Sequence, residues 1–135
     1  MAFRGNFAVK LLLDTHTVFW SLVLDPKLPA RLRTCIEEEA ETSFVSAVTG
    51  WEIAIKVKLG KWPEAGVLLP GLSTKIEAAG FELLPLTLAQ AERAGSLDLV
   101  HRDPFDRLLA AQALDLDLML ATVDPAFAAF GCKVA

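Results

Sequence analysis

The stretch AVKLLLDTH, residues 8–16, decides how the fold is read. Its apolar run is interrupted only by Lys10 and stops at Asp14, Thr15 and His16, which predicts a short buried strand with an acid at its carboxyl end. Outward from it, residues 17–24 and 29–40 predict helices, the second opening on Pro29 where a missing N–H costs nothing. Residues 42–45 predict a second strand. Ser46 then caps a predicted helix over 47–59, in which Val48, Trp51, Ile55 and Leu59 recur at helical spacing and Gly60 supplies the stop.

Two prolines and Gly66 make residues 62–70 a predicted loop, followed by a helix over 72–79 that ends at Gly80 and a strand over 81–84. Thr87 and Gln90 stand at capping-box spacing before a helix over 88–95. Asp103 and Pro104 repeat the start signal for a helix reaching Leu114, residues 118–122 return as a strand, and Asp124-Pro125 opens a last short helix. Val134 is a candidate for one more edge strand. Strands alternating with helices require crossover connections, so the expected class is α/β: three layers, with a mainly parallel central sheet of four or five strands and helices on both faces. All 135 residues fit a single domain, with residues 1–7 as a candidate tail.

Composition excludes several functional classes. No apolar run approaches the roughly 20 residues that span a bilayer, despite a mean hydropathy of +0.42. The apolar excess implies either an unusually complete core or a surface patch for a partner. The first ten residues do not form a secretory signal, and Cys35 and Cys132 lack zinc or redox spacing, so the expected compartment is the cytoplasm and the thiols receive no chemistry. A net charge of −4 argues against binding nucleic acid through a broad cationic surface, unless clustered acids hold divalent cations and invert the local field.

In open parallel sheets ligands bind beyond the carboxyl ends of the strands, and the sequence puts acids there. Asp14 follows the first strand, Asp124 follows the strand ending at Thr122, Asp106 lies in the first turn of the helix capped by Asp103, and Glu52 lies in the second turn of the Ser46 helix. Each also has a purely structural reading. Asp124 caps a helix, Asp106 favours a helix N-terminus, Glu52 pairs with Lys56 at i,i+4, and Asp14 caps the next backbone turn. Clustered carboxylates repel one another unless a cation offsets their charge, and an all-oxygen donor set suits Mg²⁺ or Mn²⁺. His16 reads as packing or support for the site, and His101 as loop. Asp14-Thr15-His16 lacks the second acid of dehalogenase-type phosphotransferases and the acidic pair of receiver domains.

Four stretches, LLLDTH at 11–16, SAVTGWEIAIK at 46–56, HRDPFDRLLAAQA at 101–113 and LATVDPAF at 120–127, resemble the VapC-like branch of the PIN-domain family, over nearly all of residues 11–131. The lead before Leu11 is longer than usual in that branch and the carboxyl end is shorter. The resemblance places the family's acidic quartet on Asp14, Glu52, Asp106 and Asp124, with Asp103 able to contribute through water. It implies an endoribonuclease dependent on Mg²⁺ or Mn²⁺, leaving 5′-phosphate and 3′-hydroxyl ends, and serving as the toxin of a VapBC toxin-antitoxin pair. A VapB-like antitoxin, an RNA substrate and a homodimer are the partners implied. Lys56, Lys58, Lys61, Arg102 and Arg107 are either phosphate contacts or ordinary solvated charges, and Thr15 and Thr122 are candidates to hydrogen-bond a metal-bound water. The competing reading is a nonenzymatic PIN-like module in which the acids only cap helices and an apolar face recruits a protein.

Overall fold

The computed structural model describes residues 8–98 and 103–135. The candidate tail, residues 1–7, and His101 and Arg102 lie outside the described residues. Four strands, β1 (Val9–Leu13), β2 (Ala40–Ser46), β3 (Glu82–Leu84) and β4 (Met119–Ala121), form one sheet in the order β3-β2-β1-β4. Every pairing is parallel. Val134 adds a single parallel bridge to Leu120 at the β4 edge, so the anticipated fifth strand is present only as one bridge.

Among the described residues, seven α-helices surround the sheet: α1 (Thr15–Val23), α2 (Ala30–Thr34), α3 (Ala47–Lys58), α4 (Leu72–Ala78), α5 (Leu88–Ser96), α6 (Pro104–Leu116) and α7 (Ala126–Ala129). Alternation along β1 separates two cores. Leu12 points to a cluster with Leu109, Ala110 and Ala113 of α6 and Phe127 of α7. Leu11 and Leu13 point the other way, to Val18 of α1, Leu32 of α2 and Ile76 of α4. All three leucines are fully buried, and each such burial contributes about 1.5–3 kcal/mol. The three-layer α/β expectation therefore holds: parallel strands joined by crossover helices bury both faces of the sheet.

The start signals work as read. Ser46 accepts from the Val48 N–H, Thr87 and Gln90 form a complete capping box, and Asp103 caps α6 with Pro104 in its first turn. The boundary at residues 35–40 differs. After α2 the chain widens into a π-helical turn over Cys35–Glu39, and β2 begins at Ala40 because Ala40 pairs with Val9. The helix expected over 29–40 is thus present as α2 continued by this π turn to Glu39, and only Ala40 passes to the strand. The predicted loop after α3 contains a 3₁₀ turn, Pro63–Leu68, whose Ala65 and Leu68 pack on Ile53. Both cysteines are free and buried, and burial, outweighing the nearby Arg93 charge, pushes the Cys132 thiol up to about 11.

A buried polar hub joins the layers. The Gln112 side chain on α6 is fully buried. Its carbonyl oxygen accepts from the Ser46 hydroxyl at 2.5 Å, and its amide donates to the Pro85 carbonyl at 3.0 Å and to Gln90 Oε1 at 3.1 Å. Gln90 in turn donates to Asp115 at 3.0 Å. Gln112→Leu keeps the volume but leaves the buried Ser46 hydroxyl and Gln90 Oε1 and the part-buried Pro85 carbonyl without this partner, so we expect a loss of about 2–4 kcal/mol. Urea unfolding checks this, and a variant within about 0.5 kcal/mol of the parent would contradict it.

Candidate functional site

The carboxyl ends of β1 and β4 lie side by side, with Leu13 paired to Ala121. The β1 crossover leads to β2 on one side, while β4 lies on the other. Such a reversal opens a crevice beyond the strand ends. Asp14 enters it directly from β1, its N–H donating to the Ala121 carbonyl at 3.2 Å. Its side chain is 7% exposed and accepts from the Thr17 N–H at 2.9 Å and from the Thr122 hydroxyl at 2.5 Å. The capping reading of Asp14 is therefore correct, and it keeps the buried carboxylate hydrogen-bonded. Each carboxylate oxygen retains a further lone pair for another partner.

Glu52, 4% exposed, comes from the second turn of α3. The Thr15 hydroxyl donates to its Oε1 at 2.6 Å, which leaves Thr49 to donate to Thr15 at 3.1 Å. Lys56, one turn on, lies 2.5 Å from Oε2, so the expected i,i+4 pair is formed. Burial alone lowers the lysine's pKa. The hydrogen bond and charge of Glu52, with the charges of Asp103 and Asp106, outweigh it and hold the ammonium above its ordinary range.

The opening turn of α6 brings Asp103 and Asp106. Asp103 accepts from the Phe105 and Asp106 N–H groups at 2.9 and 3.4 Å. Asp124 follows β4, where its N–H donates to the Thr122 hydroxyl and its Oδ1 accepts from the Ala126 N–H, both at 2.9 Å. Structural duties thus occupy Asp14, Glu52 and Asp124, as the capping and pairing readings required.

These residues nevertheless meet. Asp14, Glu52, Asp106 and Asp124 line one cleft of about 480 Å³, together with Asp103, Thr15, His16, Trp20 and Lys56. Five carboxylates and one ammonium among the described residues line its walls. Among the described residues, no three acidic, histidine or cysteine side chains already stand at ligand spacing. A larger cavity, about 720 Å³, opens near the amino ends of β2 and β3, shares only Trp20 with the cleft and holds none of the four acids.

Several candidate roles change. Arg107 is not a free phosphate contact, because its guanidinium donates to the carbonyls of Ala94, Gly95 and Leu97 and fastens the end of α5 to α6. Lys56 is engaged by Glu52, while Lys58 and Lys61 are exposed. Thr15 and Thr122 bond the carboxylates themselves. His16 packs, as read, stacking on Trp62 with ring centres 4.6 Å apart. Thr49 escaped sequence reasoning, although it sits three residues before Glu52 on the same helical face.

Removing the Lys56 ammonium leaves Glu52 buried without its cation, so Lys56→Met should cost about 1–3 kcal/mol near pH 7. Because the folded-state pKa lies above the ordinary 10.5, this contribution is fully present below 10.5 and is lost as pH rises through the higher folded value. Urea unfolding of parent and variant from neutral to alkaline pH should show a constant gap that closes only at the alkaline end. A gap that closes below pH 10.5 would refute the assignment.

The PIN domain family model matches residues 11–131. No curated protein matches the chain by sequence. Similar solved structures include VapBC2 of Rickettsia felis bound to a promoter DNA fragment (16% identity, 93% of this chain and 96% of that one, TM-score 0.63). FitAcB of Neisseria gonorrhoeae is similar at 23% identity over 92% of this chain and 95% of that one, with a TM-score of 0.59. VapC20 of Mycobacterium tuberculosis, a toxin cleaving the sarcin-ricin loop, is similar at 15% identity over 93% and 98% of the two chains, with a TM-score of 0.57. These structures share the fold, and with the family model spanning nearly its whole length the chain belongs to the PIN-domain family.

Proposed function

We propose that the chain is a divalent-metal-dependent endoribonuclease that acts as the toxin of a VapBC-type pair. The observation that carries this reading is the gathering of Asp14, Glu52, Asp106 and Asp124, distant in sequence, on the walls of one cleft. The donor set fits a hard cation, since it consists of carboxylate and hydroxyl oxygens. Asp14 has no ion-pair partner among the described cations. Asp14, Asp106 and Asp124, with Glu52, would hold one or two Mg²⁺ or Mn²⁺ ions, supplying an activated water and neutralising charge on the phosphate.

The chain's own residues do the rest. Thr122 and the Thr17 N–H fix both oxygens of Asp14, and Thr15 with Lys56 fixes both oxygens of Glu52, so neither carboxylate needs to reorganise during the reaction. Asp124, or Glu52 acting through water, orients the attacking water. Attack by water does not itself require a ribose hydroxyl, and the choice of RNA rests on the likeness to toxins of the VapC kind.

The partners belong to the same proposal. The Rickettsia structure holds VapBC2 on a promoter DNA fragment, a further similar structure holds FitAB on a DNA fragment, and by likeness a VapB-like antitoxin would bind this chain. A homodimer is the expected state, and exposed Leu24 and Val67 are apolar surface that a partner would cover. No helix among the described residues is long and apolar enough to cross a membrane, and the proposed site of action is the cytoplasm.

Asp14→Asn keeps the capping geometry but removes one charge, so Mn²⁺ affinity should fall at least about tenfold, with cleavage of RNA lost and the circular dichroism spectrum unchanged. Titration calorimetry with Mn²⁺ and gel analysis of RNA fragments check both parts. A native protein that binds no Mn²⁺ would instead support a nonenzymatic binding module.

A further inference from the structure

Both helical acids of the cleft are preceded by an aromatic residue: Trp51 stands before Glu52 on α3, and Phe105 before Asp106 on α6. The two rings meet at 5.0 Å and 73°, and the Lys56 ammonium lies 5.7 Å over the Phe105 ring. With this edge-on contact Trp51 remains 55% exposed. A second pair stands beside Asp14, where exposed His16 stacks on Trp62 at 4.6 Å and 29°. Phe19 and Trp20 pack around this pair from α1, with ring centres 5.2 Å from Trp62 and 5.8 Å from His16.

From this placement we infer that the Trp51–Phe105 and His16–Trp62 pairs are stacking shelves for unpaired bases of the RNA that enters the cleft. The inference rests on the ribonuclease reading and adds the groups that hold the substrate. Charge points the same way. A chain of net charge −4 offers no broad cationic surface for phosphates, and among the described residues near the cleft Lys56 is committed to Glu52, Arg107 to backbone carbonyls and Arg31 to the Thr122 carbonyl. Base stacking on exposed rings supplies affinity without cations and tolerates any sequence, because every base has a π-face. Bases inside a duplex have no free face, so the shelves select single-stranded segments.

Fluorescence anisotropy with a 5′-labelled single-stranded RNA of about 12 nucleotides, with Ca²⁺ as the divalent ion, tests this. Trp51→Leu and His16→Leu should each weaken binding about tenfold, and the affinity of the native protein should fall only shallowly with salt. A strand of the same length without bases should bind the native protein weakly, and Trp51→Leu should cause no further loss with it. Equal affinity of both variants and the native protein, undiminished binding of the baseless strand, or no RNA binding by the native protein overturns the proposal. A shift in oligomeric mass in Trp51→Leu overturns it too, by assigning the ring to a contact between copies. Cleavage with Mn²⁺ is measured separately. Native protein that binds as described but never cuts defeats the nuclease reading alone, and cleavage with Trp51-independent binding defeats the shelves alone.

Discussion

The arrangement depends on one hydrogen-bonded carboxylate. Asp14 ends a strand whose last three residues are fully buried, and a negative charge there is costly unless its oxygens find donors. The Thr17 N–H and the Thr122 hydroxyl are those donors, and they come from different elements: the first turn of α1 and the end of β4. Thr122 also accepts from the Asp124 N–H. A chain of hydrogen bonds therefore runs from α1 through Asp14 and Thr122 to Asp124, fixing two acids that are 110 positions apart in the numbering. The same bonds close the ends of β1 and β4 and position the mouth of the cleft, so fold and site share one set of contacts.

The other half of the cleft is carried by helices, and its precision comes from beneath. Glu52 and Asp106 stand on α3 and α6, which share no sheet register. The Ser46 hydroxyl caps α3 and donates to Gln112 of α6, so the side chain that starts one helix is anchored to the middle of the other. Gln112 also holds the Pro85 carbonyl beyond β3 and Gln90 of α5. A hydrogen-bonded polar network centred on a buried side chain fixes relative position more narrowly than apolar packing, which tolerates sliding. Arg107 adds a surface clasp by tying three carbonyls at the end of α5 to α6.

What could be read from the residues alone was whatever local chemistry dictates. The caps at Ser46, Thr87 and Asp103 mark helix starts because a side-chain oxygen satisfies an orphan N–H within three residues. The buried run at Leu11-Leu12-Leu13 implies a covered parallel strand because both faces must leave water. Boundaries set by a partner strand were not readable, as the early start of β2 at Ala40 shows, since nothing near Ala40 announces that Val9 lies opposite. The fate of cations was equally hidden. Arg107 looked available for phosphate because its partners are backbone carbonyls 10 to 13 residues away, which no side-chain pattern encodes. The individual acids were legible; their common cleft depends on β4 returning beside β1 after a crossover past two strands.

The capping and functional readings of these acids are not rivals. A carboxylate that accepts from helix N–H groups sits where the helix dipole is positive, and part of its charge is offset there without any cation. Asp14 opens α1, Asp103 opens α6 with Asp106 in its first turn, and Glu52 is offset by Lys56. That partial compensation lets the folded chain gather five acids around one cleft. Full pairing of each acid with a lysine or arginine would stabilise the walls but occupy the carboxylate oxygens on both sides. Capping therefore solves the stability problem with neutral donors, which bind one side of a carboxylate and leave lone pairs on the other. A helix start is the cheapest place in an α/β fold to store reactive negative charge, and in a parallel sheet helix starts lie at the carboxyl ends of strands, where the crevice is.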